Sequence, residues 1–158
     1  MKEQLKIKNK ICMFSFNYTF ERKITANKTS KNVMDAARDL FKEREINDIN
    51  IQDNMVIGKD SLFKLDFSNR SPLVLSPGKE YFIYNESTRT LTYKIEAFYP
   101  LLFNLIYAFI LFLILHFLVG HRIIEMVIPS LFFILLSIVS YLQYQMVINK
   151  ITGKLNEN

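Results

Sequence analysis

Few residues that commonly carry chemistry are present in this chain. It has 158 residues, with one cysteine, two histidines, four glycines and no tryptophan. Cys12 by itself excludes an intrachain disulfide and a cysteine-rich metal site. The glycines stand apart from one another, so the chain has neither a phosphate-binding loop nor a dinucleotide fingerprint. Both histidines lie beyond residue 115, which leaves the preceding segment without the usual general base. We expect a non-enzymatic protein without a metal or cofactor.

Two long hydrophobic runs are the most informative feature that is present. They extend from Tyr99 to Val119 and from Met126 to Ile148. A transmembrane helix needs about 20 apolar residues, because the hydrocarbon layer is roughly 30 Å thick and a helix rises about 1.5 Å per residue. The runs therefore predict a transmembrane helical hairpin over residues 98–149. We expect a soluble domain over residues 11–97, a basic lead-in over 1–10 and a polar C-terminal tail over 150–158.

Basic residues are concentrated near the N-terminus. Residues 1–31 contain eight Lys or Arg and two Glu, a net charge of +6. Lys2, Lys6, Lys8 and Lys10 are candidates for contact with anionic lipid head groups, and a solvated lead-in is the other interpretation. No nucleic-acid partner is expected, because the lysines come without a recognition motif.

Charges next to the hydrophobic runs predict an orientation. Arg89 and Lys94 precede the first run and Lys150 and Lys154 follow the second, whereas the connecting loop contains only Arg122. Basic residues accumulate on the cytoplasmic side of membrane proteins. We expect two spans with both termini in the cytoplasm, and a location in the bacterial inner membrane.

The soluble segment begins with a strand pattern followed by a helix pattern. Apolar residues occupy the even positions from Cys12 to Phe20, which is typical of a half-buried strand. Apolar residues from Val33 to Phe41 then follow the spacing of an amphipathic helix, and Ser30 or Asn32 is expected to cap its start.

Alternation with a period of two returns after this helix. It predicts short strands near residues 49–51, 55–57, 63–67 and 73–75, and a hairpin formed by 81–84 and 91–95. Connections this short favour antiparallel neighbours. We expect an α+β fold: a small, mainly antiparallel sheet with one covering helix, followed by the two-helix hairpin. Only residues 96–100 connect the sheet to the first apolar helix, and Pro100 suits a helix start.

Polar side chains within the apolar runs are candidates for helix–helix contact. Small and hydroxyl-bearing residues let membrane helices approach and form hydrogen bonds. The candidates are Asn104, Tyr107, Ser130, Ser137, Ser140, Tyr141 and Tyr144. The other helix of the hairpin is their simplest partner. The remaining phenylalanine-rich faces can contact lipid or another subunit.

His116, His121 and Glu125 lie near the turn of the hairpin. Ionisable groups in or beside hydrocarbon are costly, which makes these residues candidates for function. A structural role is one interpretation, and a haem or proton-relay site using His116 and His121 is another. The two histidines are five residues apart, about 140° around a helix, so they do not face one ligand unless the loop bends.

Together these features favour an accessory or structural subunit of a larger membrane complex. Its partners would be the lipid bilayer and either other protein subunits or further copies of the chain. The alternative is a membrane-associated sensor or a module that binds lipid or another ligand. A redox subunit that uses the two histidines is a third hypothesis.

Overall fold

In the part of the chain that the structure describes, a five-stranded antiparallel sheet and three helices form the fold. The computed structural model describes residues 16–25, 27–59 and 78–157. The strands are β1 (Asn17–Lys23), β2 (Asp48–Gln52), β3 (Met55–Lys59), β4 (Lys79–Asn85) and β5 (Thr90–Glu96). The helices are α1 (Ser30–Glu43), α2 (Phe98–Leu118) and α3 (Arg122–Glu157). The predicted α+β class and antiparallel sheet are confirmed.

Sheet order is β1-β5-β4-β3-β2, and every neighbouring pair is antiparallel. Two short turns join β2 to β3 and β4 to β5, as expected for strands connected by a few residues. The strands predicted near 63–67 and 73–75 lie outside the described residues. The same is true of Cys12 at the start of the first predicted strand.

One face of the sheet carries the hydrophobic core. Residues of even number in β1 and β4 and of odd number in β5 point into it, following the period of a strand. An aromatic row crosses the sheet there. The Phe20 and Tyr93 ring centroids lie 6.3 Å apart, those of Tyr93 and Phe82 lie 4.5 Å apart, and Phe41 of α1 lies 5.1 Å from Phe82.

α1 covers this face with the apolar stripe that the spacing predicts. Val33, Ala37 and Phe41 are fully buried. The helix cap differs from the expectation: Thr29, rather than Ser30 or Asn32, is the N-cap, and its hydroxyl accepts a hydrogen bond from the Asn32 backbone N at 3.4 Å. Thr29 has the extended backbone that an N-cap requires, whereas Ser30 already belongs to the helix.

α1 shares the same face of the sheet with the C-terminal part of α3. Ile148, Ile151 and Leu155 of α3 are buried in the core with the residues of α1. The prediction of a single covering helix is therefore wrong, because both α1 and α3 cover this face of the sheet. The tail expected at 150–158 is also different, because α3 continues without a break through Asn149 to Glu157.

Within the described residues, α2 and α3 are the two helices that are long and apolar enough to cross a membrane, by length and composition. Only 11% of the apolar stretch of α2 and 17% of that of α3 are buried. The core helix of a soluble protein would be mostly buried. Most of their apolar side chains are instead on the outside of the molecule, including Phe109, Phe117 and Leu131.

Candidate functional site

The candidate site begins where the sheet joins the apolar helices. β5 ends at Glu96 and α2 begins at Phe98, so Ala97 is the only residue between them. Ala97 is buried, its backbone N donates to the Phe16 carbonyl oxygen at 2.8 Å, and its own carbonyl accepts from the Leu101 N at 3.1 Å. A tether rich in glycine would let the domain reorient. This junction fixes α2 to the sheet.

α3 makes a second connection by extending from the apolar hairpin into the sheet domain. Its 36 residues span about 54 Å. Glu125, Leu136 and Ser140 are buried in its first half, and Ile148 and Leu155 are buried in its second half. Most neighbouring pairs among all the buried positions of α3 are three or four residues apart, so one continuous stripe packs against α2 and then against the sheet.

Contacts between α3 and β1 set the direction of the helix. The rings of Tyr18 and Tyr141 lie 5.5 Å apart, edge to face. Further along, Arg22 Nε donates to Asn149 Oδ1 at 2.9 Å. Beyond the strand, the Thr25 N donates to the amide oxygen of the α3 residue Asn156, also at 2.9 Å. Seven residues of extended chain and fifteen of helix each cover about 23 Å, so strand and helix run side by side.

The half-buried Tyr18 at this contact has a raised pKa. Burial raises the pKa of Tyr18, and the neighbouring Tyr141 raises it further. The Tyr18 hydroxyl therefore keeps its proton more firmly than an exposed tyrosine does, at the place where the sheet meets the apolar helices. Tyr141 is also 5.1 Å from Phe20, ring to ring.

α2 and α3 pack together along a seam of small and polar side chains. The buried seam residues are Pro100, Asn104 and Ala108 in α2, and Glu125, Pro129, Leu136 and Ser140 in α3. Such residues let helices approach closely. The Asn104 Nδ2 is buried and has no hydrogen-bond partner in the described part of the chain.

The predicted helix-interface candidates divide into two groups. In the hairpin, Asn104 and Ser140 are buried, Tyr107 and Ser137 are half-buried and Ser130 is exposed. The hydroxyls of all three serines donate to backbone carbonyls of their own helix, to Met126, Phe133 and Leu136, instead of bridging to α2. A serine hydroxyl reaches the carbonyl four residues earlier without any partner helix.

Tyr141 and Tyr144 form the second group and lie beside the sheet instead of beside α2. Tyr144 is 2% exposed and belongs to the hydrophobic core, whereas Tyr141 is 43% exposed and contacts Tyr18. The two helices are antiparallel, so α3 has passed the start of α2 at this level. The sheet takes the place of the partner helix.

His116 and Glu125 meet at the turn of the hairpin. The His116 Nδ1 lies 2.9 Å from Glu125 Oε2, and the imidazole stacks on Phe112 with ring centroids 5.9 Å apart. The Glu125 side chain is 7% exposed and that of His116 is 55% exposed. His121 is exposed on the connection between the helices, where its carbonyl accepts from the Glu125 N at 3.1 Å.

The structure thus joins His116 to Glu125 rather than to His121. The described residues contain no group of three His, Cys, Asp or Glu side chains that could hold a metal ion. A haem or proton-relay role for the two histidines stays a prediction. The four lysines proposed to contact lipid lie outside the described residues.

A groove opens along the hairpin next to Glu125. Its volume is about 380 Å³. Ten residues line it: Leu105, Ala108, Phe109, Phe112, Glu125, Met126, Pro129, Ser130, Phe133 and Ile134. Nine of them present apolar or hydroxyl groups, and Glu125 supplies the only formal charge. Pro129 has no backbone N–H, so the Glu125 carbonyl lacks its usual donor four residues later.

A buried ion pair in the sheet domain is not apparent from the sequence. Arg44 follows α1, and its guanidinium binds both carboxylate oxygens of Glu80, with Nη2 donating to Oε1 at 2.9 Å. The Tyr93 hydroxyl donates to Glu80 Oε2 at 2.5 Å and accepts from Arg44 Nη1 at 3.3 Å. Glu80 is 3% exposed. The one sign of this ion pair in the sequence is Glu80, a glutamate at a core-facing position of a strand.

Electrostatics in this triad favour a charged arginine and a neutral tyrosine. Burial alone would lower the pKa of Arg44, but the charge of Glu80 and its hydrogen bonds raise it above the ordinary value. Burial, followed by the Glu80 charge, raises the pKa of Tyr93 well above its ordinary value. The carboxylate is thus compensated by two donors that do not release their protons.

No protein-family model, curated protein or solved structure matches the chain.

Proposed function

We propose that this chain is a two-span integral membrane protein that serves as a non-enzymatic accessory or structural subunit of a larger membrane complex. In this proposal α2 and α3 cross the bilayer, and the sheet domain with both termini lies in the cytoplasm. One observation carries the proposal: the single helix α3 belongs both to the apolar hairpin and to the core of the sheet domain.

Two features support the placement in a membrane. The outer faces of α2 and of α3 between Ile123 and Leu142 are mainly apolar, with Phe109 56% and Leu131 61% exposed, and such large apolar surfaces need lipid or protein around them. The basic residues at the sheet-side ends, such as Lys94 and Lys150, outnumber the single Arg122 of the turn, which supports the proposed orientation.

The rigid junction supports a bracing role. A domain held by Ala97 and by the second half of α3 keeps a fixed height and angle relative to the hairpin. This geometry suits a protein that positions other subunits at the membrane surface. A hairpin of two helices is too small to enclose a channel by itself.

The proposed role is tested by extracting native membranes in mild detergent and measuring particle mass by sedimentation, with mass spectrometry of the subunits. We expect a particle much heavier than the 18.7 kDa chain that contains partner chains in fixed ratio. A monomer without partners would contradict the proposal.

A matched pair of insertions tests the brace itself. Gly-Ser-Gly-Ser between Gln145 and Met146 separates the two halves of α3, and the same insertion after Glu157 is the control. We expect the first variant to stay in the membrane and lose the heavy particle, and the control to keep it. Equal particles from both variants would show that the continuity of α3 is not required.

A further inference from the structure

The groove of the hairpin combines apolar walls with one buried carboxylate. Glu125 is 6% exposed and lies at the end of the groove nearest the turn. An ionised carboxylate in apolar surroundings needs a positive partner. His116 provides one only when its imidazole is protonated, and its side chain is 55% exposed, so it does not seal the site.

The other charged groups near the turn leave this carboxylate without a permanent counter-charge. Arg122 lies one turn earlier on α3, is exposed and forms no ion pair with Glu125 in the described part of the chain. His121 is also exposed. When His116 is neutral, the described part of the chain supplies no other cation in contact with the Glu125 carboxylate.

Aromatic rings form the walls beside this charge. Phe109, Phe112 and Phe133 line the groove, and the Phe109 and Phe112 rings stack at 6.2 Å. The faces of aromatic rings attract organic cations, and aromatic walls with a nearby carboxylate are the usual recognition chemistry for ammonium groups. A volume of about 380 Å³ falls within the range of small-molecule sites, whereas a partner helix would cover a longer and flatter face.

We propose that this groove binds a small lipophilic organic cation, with its charge beside Glu125 and its apolar body against the phenylalanines. The site depends only on the packing of α2 against α3. It does not require an accessory role in a complex, so the two proposals can fail separately.

Equilibrium dialysis of the purified full-length chain in detergent at pH 8 tests the site, with radiolabelled tetraphenylphosphonium as the probe and protein-free micelles as the blank. We expect saturable binding at about one probe per chain. Unlabelled tetraphenylphosphonium should displace it, and the uncharged tetraphenylsilane should not. Equal displacement by the silane would overturn the proposal, because charge would then play no part.

Two charge-matched variants locate the site. Glu125→Gln should weaken binding by roughly tenfold or more, since it removes the carboxylate but keeps its shape. Glu157→Gln removes one exposed negative charge at the other end of α3 and should leave binding unchanged. Equal losses in both variants, or no loss in Glu125→Gln, would overturn the assignment.

A third variant fills the groove without touching its charge. Ser130 is exposed at the groove wall and outside the buried seam, so Ser130→Phe should occupy the cavity while the hairpin stays intact. We expect binding to fall by a similar factor, with helix content by circular dichroism unchanged. Full binding by a folded Ser130→Phe chain would place the cation elsewhere and contradict the proposal.

Discussion

At the scale of single residues, stability depends on a few close contacts in the sheet core. Phe41 of α1 lies directly over Gly58 of β3, which has no side chain to hold it away. Next to it, Arg44, Glu80 and Tyr93 form a hydrogen-bonded triad below the helix. Both features let α1 lie close to the sheet. Gly58 leaves room for the Phe41 ring, and the triad compensates the buried charge of Glu80.

Gly58→Ala is expected to destabilise the sheet domain by about 1–3 kcal/mol. A Cβ at Gly58 would lie 2.9 Å from Phe41 Cε2, closer than real Cβ atoms approach other carbons, and the fully buried ring has little room to retreat. Gly153→Ala is the control: apart from its own helix backbone and chain neighbours, no atom of the described residues lies within 4 Å of its added Cβ, and alanine favours a helix, so stability should rise by about 0.5–1 kcal/mol. Urea unfolding in detergent measures both, and equal effects would refute the steric argument.

Tyr93→Phe is expected to cost about 1 kcal/mol near neutral pH, because Glu80 loses one hydrogen-bond donor. The raised pKa of Tyr93 means that the folded state keeps a proton that the unfolded chain loses above about pH 10. This contribution to stability is complete below that pH and declines above it, by up to about 1.4 kcal/mol per pH unit. The stability of Tyr93→Phe should not show this decline, because phenylalanine has no hydroxyl proton to lose.

We therefore expect the unfolding free energies of wild type and Tyr93→Phe, measured between pH 8.5 and 11, to converge as the pH rises. Tyr99→Phe, which alters an exposed ring outside the triad, controls for the loss of one tyrosine. A constant difference between wild type and Tyr93→Phe at all pH values would show that Tyr93 does not titrate with unfolding.

At the scale of elements, α3 connects the apolar hairpin to the sheet domain. Its first half packs on α2 and its second half packs on β1 and α1. Lys150 of α3 also forms an ion pair with Glu43 at the end of α1, on the exposed side of the contact. The C-terminal residues of α3 are thus a packed helix that covers the sheet.

Ile151→Ala is expected to destabilise the sheet domain by about 2–4 kcal/mol, since Ile151 is 1% exposed and its loss leaves a cavity. Met146→Ala changes a side chain that is 65% exposed on the same helix and should alter stability by less than about 0.5 kcal/mol. Tyrosine circular dichroism during thermal unfolding follows the sheet domain in both variants. Similar melting temperatures would mean that the end of α3 is not part of the core.

Sequence patterns predict those elements whose period is local. The spacing from Val33 to Phe41 predicts α1, and alternation predicts the β4–β5 hairpin. The sequence does not predict the end of α3, although Ile148, Ile151 and Leu155 have helical spacing, because the intervening polar residues Asn149, Lys150 and Lys154 are typical of a solvated tail.

Pairs that are distant in sequence leave no such pattern. Arg44 and Glu80 are 36 residues apart, and only the folded sheet brings them together. His116 and Glu125 are nine residues apart on two different helices, so their contact depends on how the turn is built. The candidate residues could be selected by type from the sequence, but their partners could not.

At the scale of the whole molecule, two connections make the apolar hairpin and the sheet domain one body. Ala97 fixes the start of α2, and the second half of α3 fixes the other helix. In the proposed arrangement the turn with His116 and Glu125 lies across the bilayer from the sheet domain. The cation groove and the sheet are then linked by a continuous helix.

Cysteine labelling in intact bacterial cells tests this arrangement most directly. In a Cys12→Ser background, Ile123→Cys places one thiol at the exposed turn and Glu157→Cys places one at the end of α3. A membrane-impermeant maleimide should label Ile123→Cys in intact cells, and Glu157→Cys only after lysis. Labelling of Glu157→Cys in intact cells, or protection of Ile123→Cys until lysis, would contradict a hairpin that crosses the membrane with the sheet domain inside.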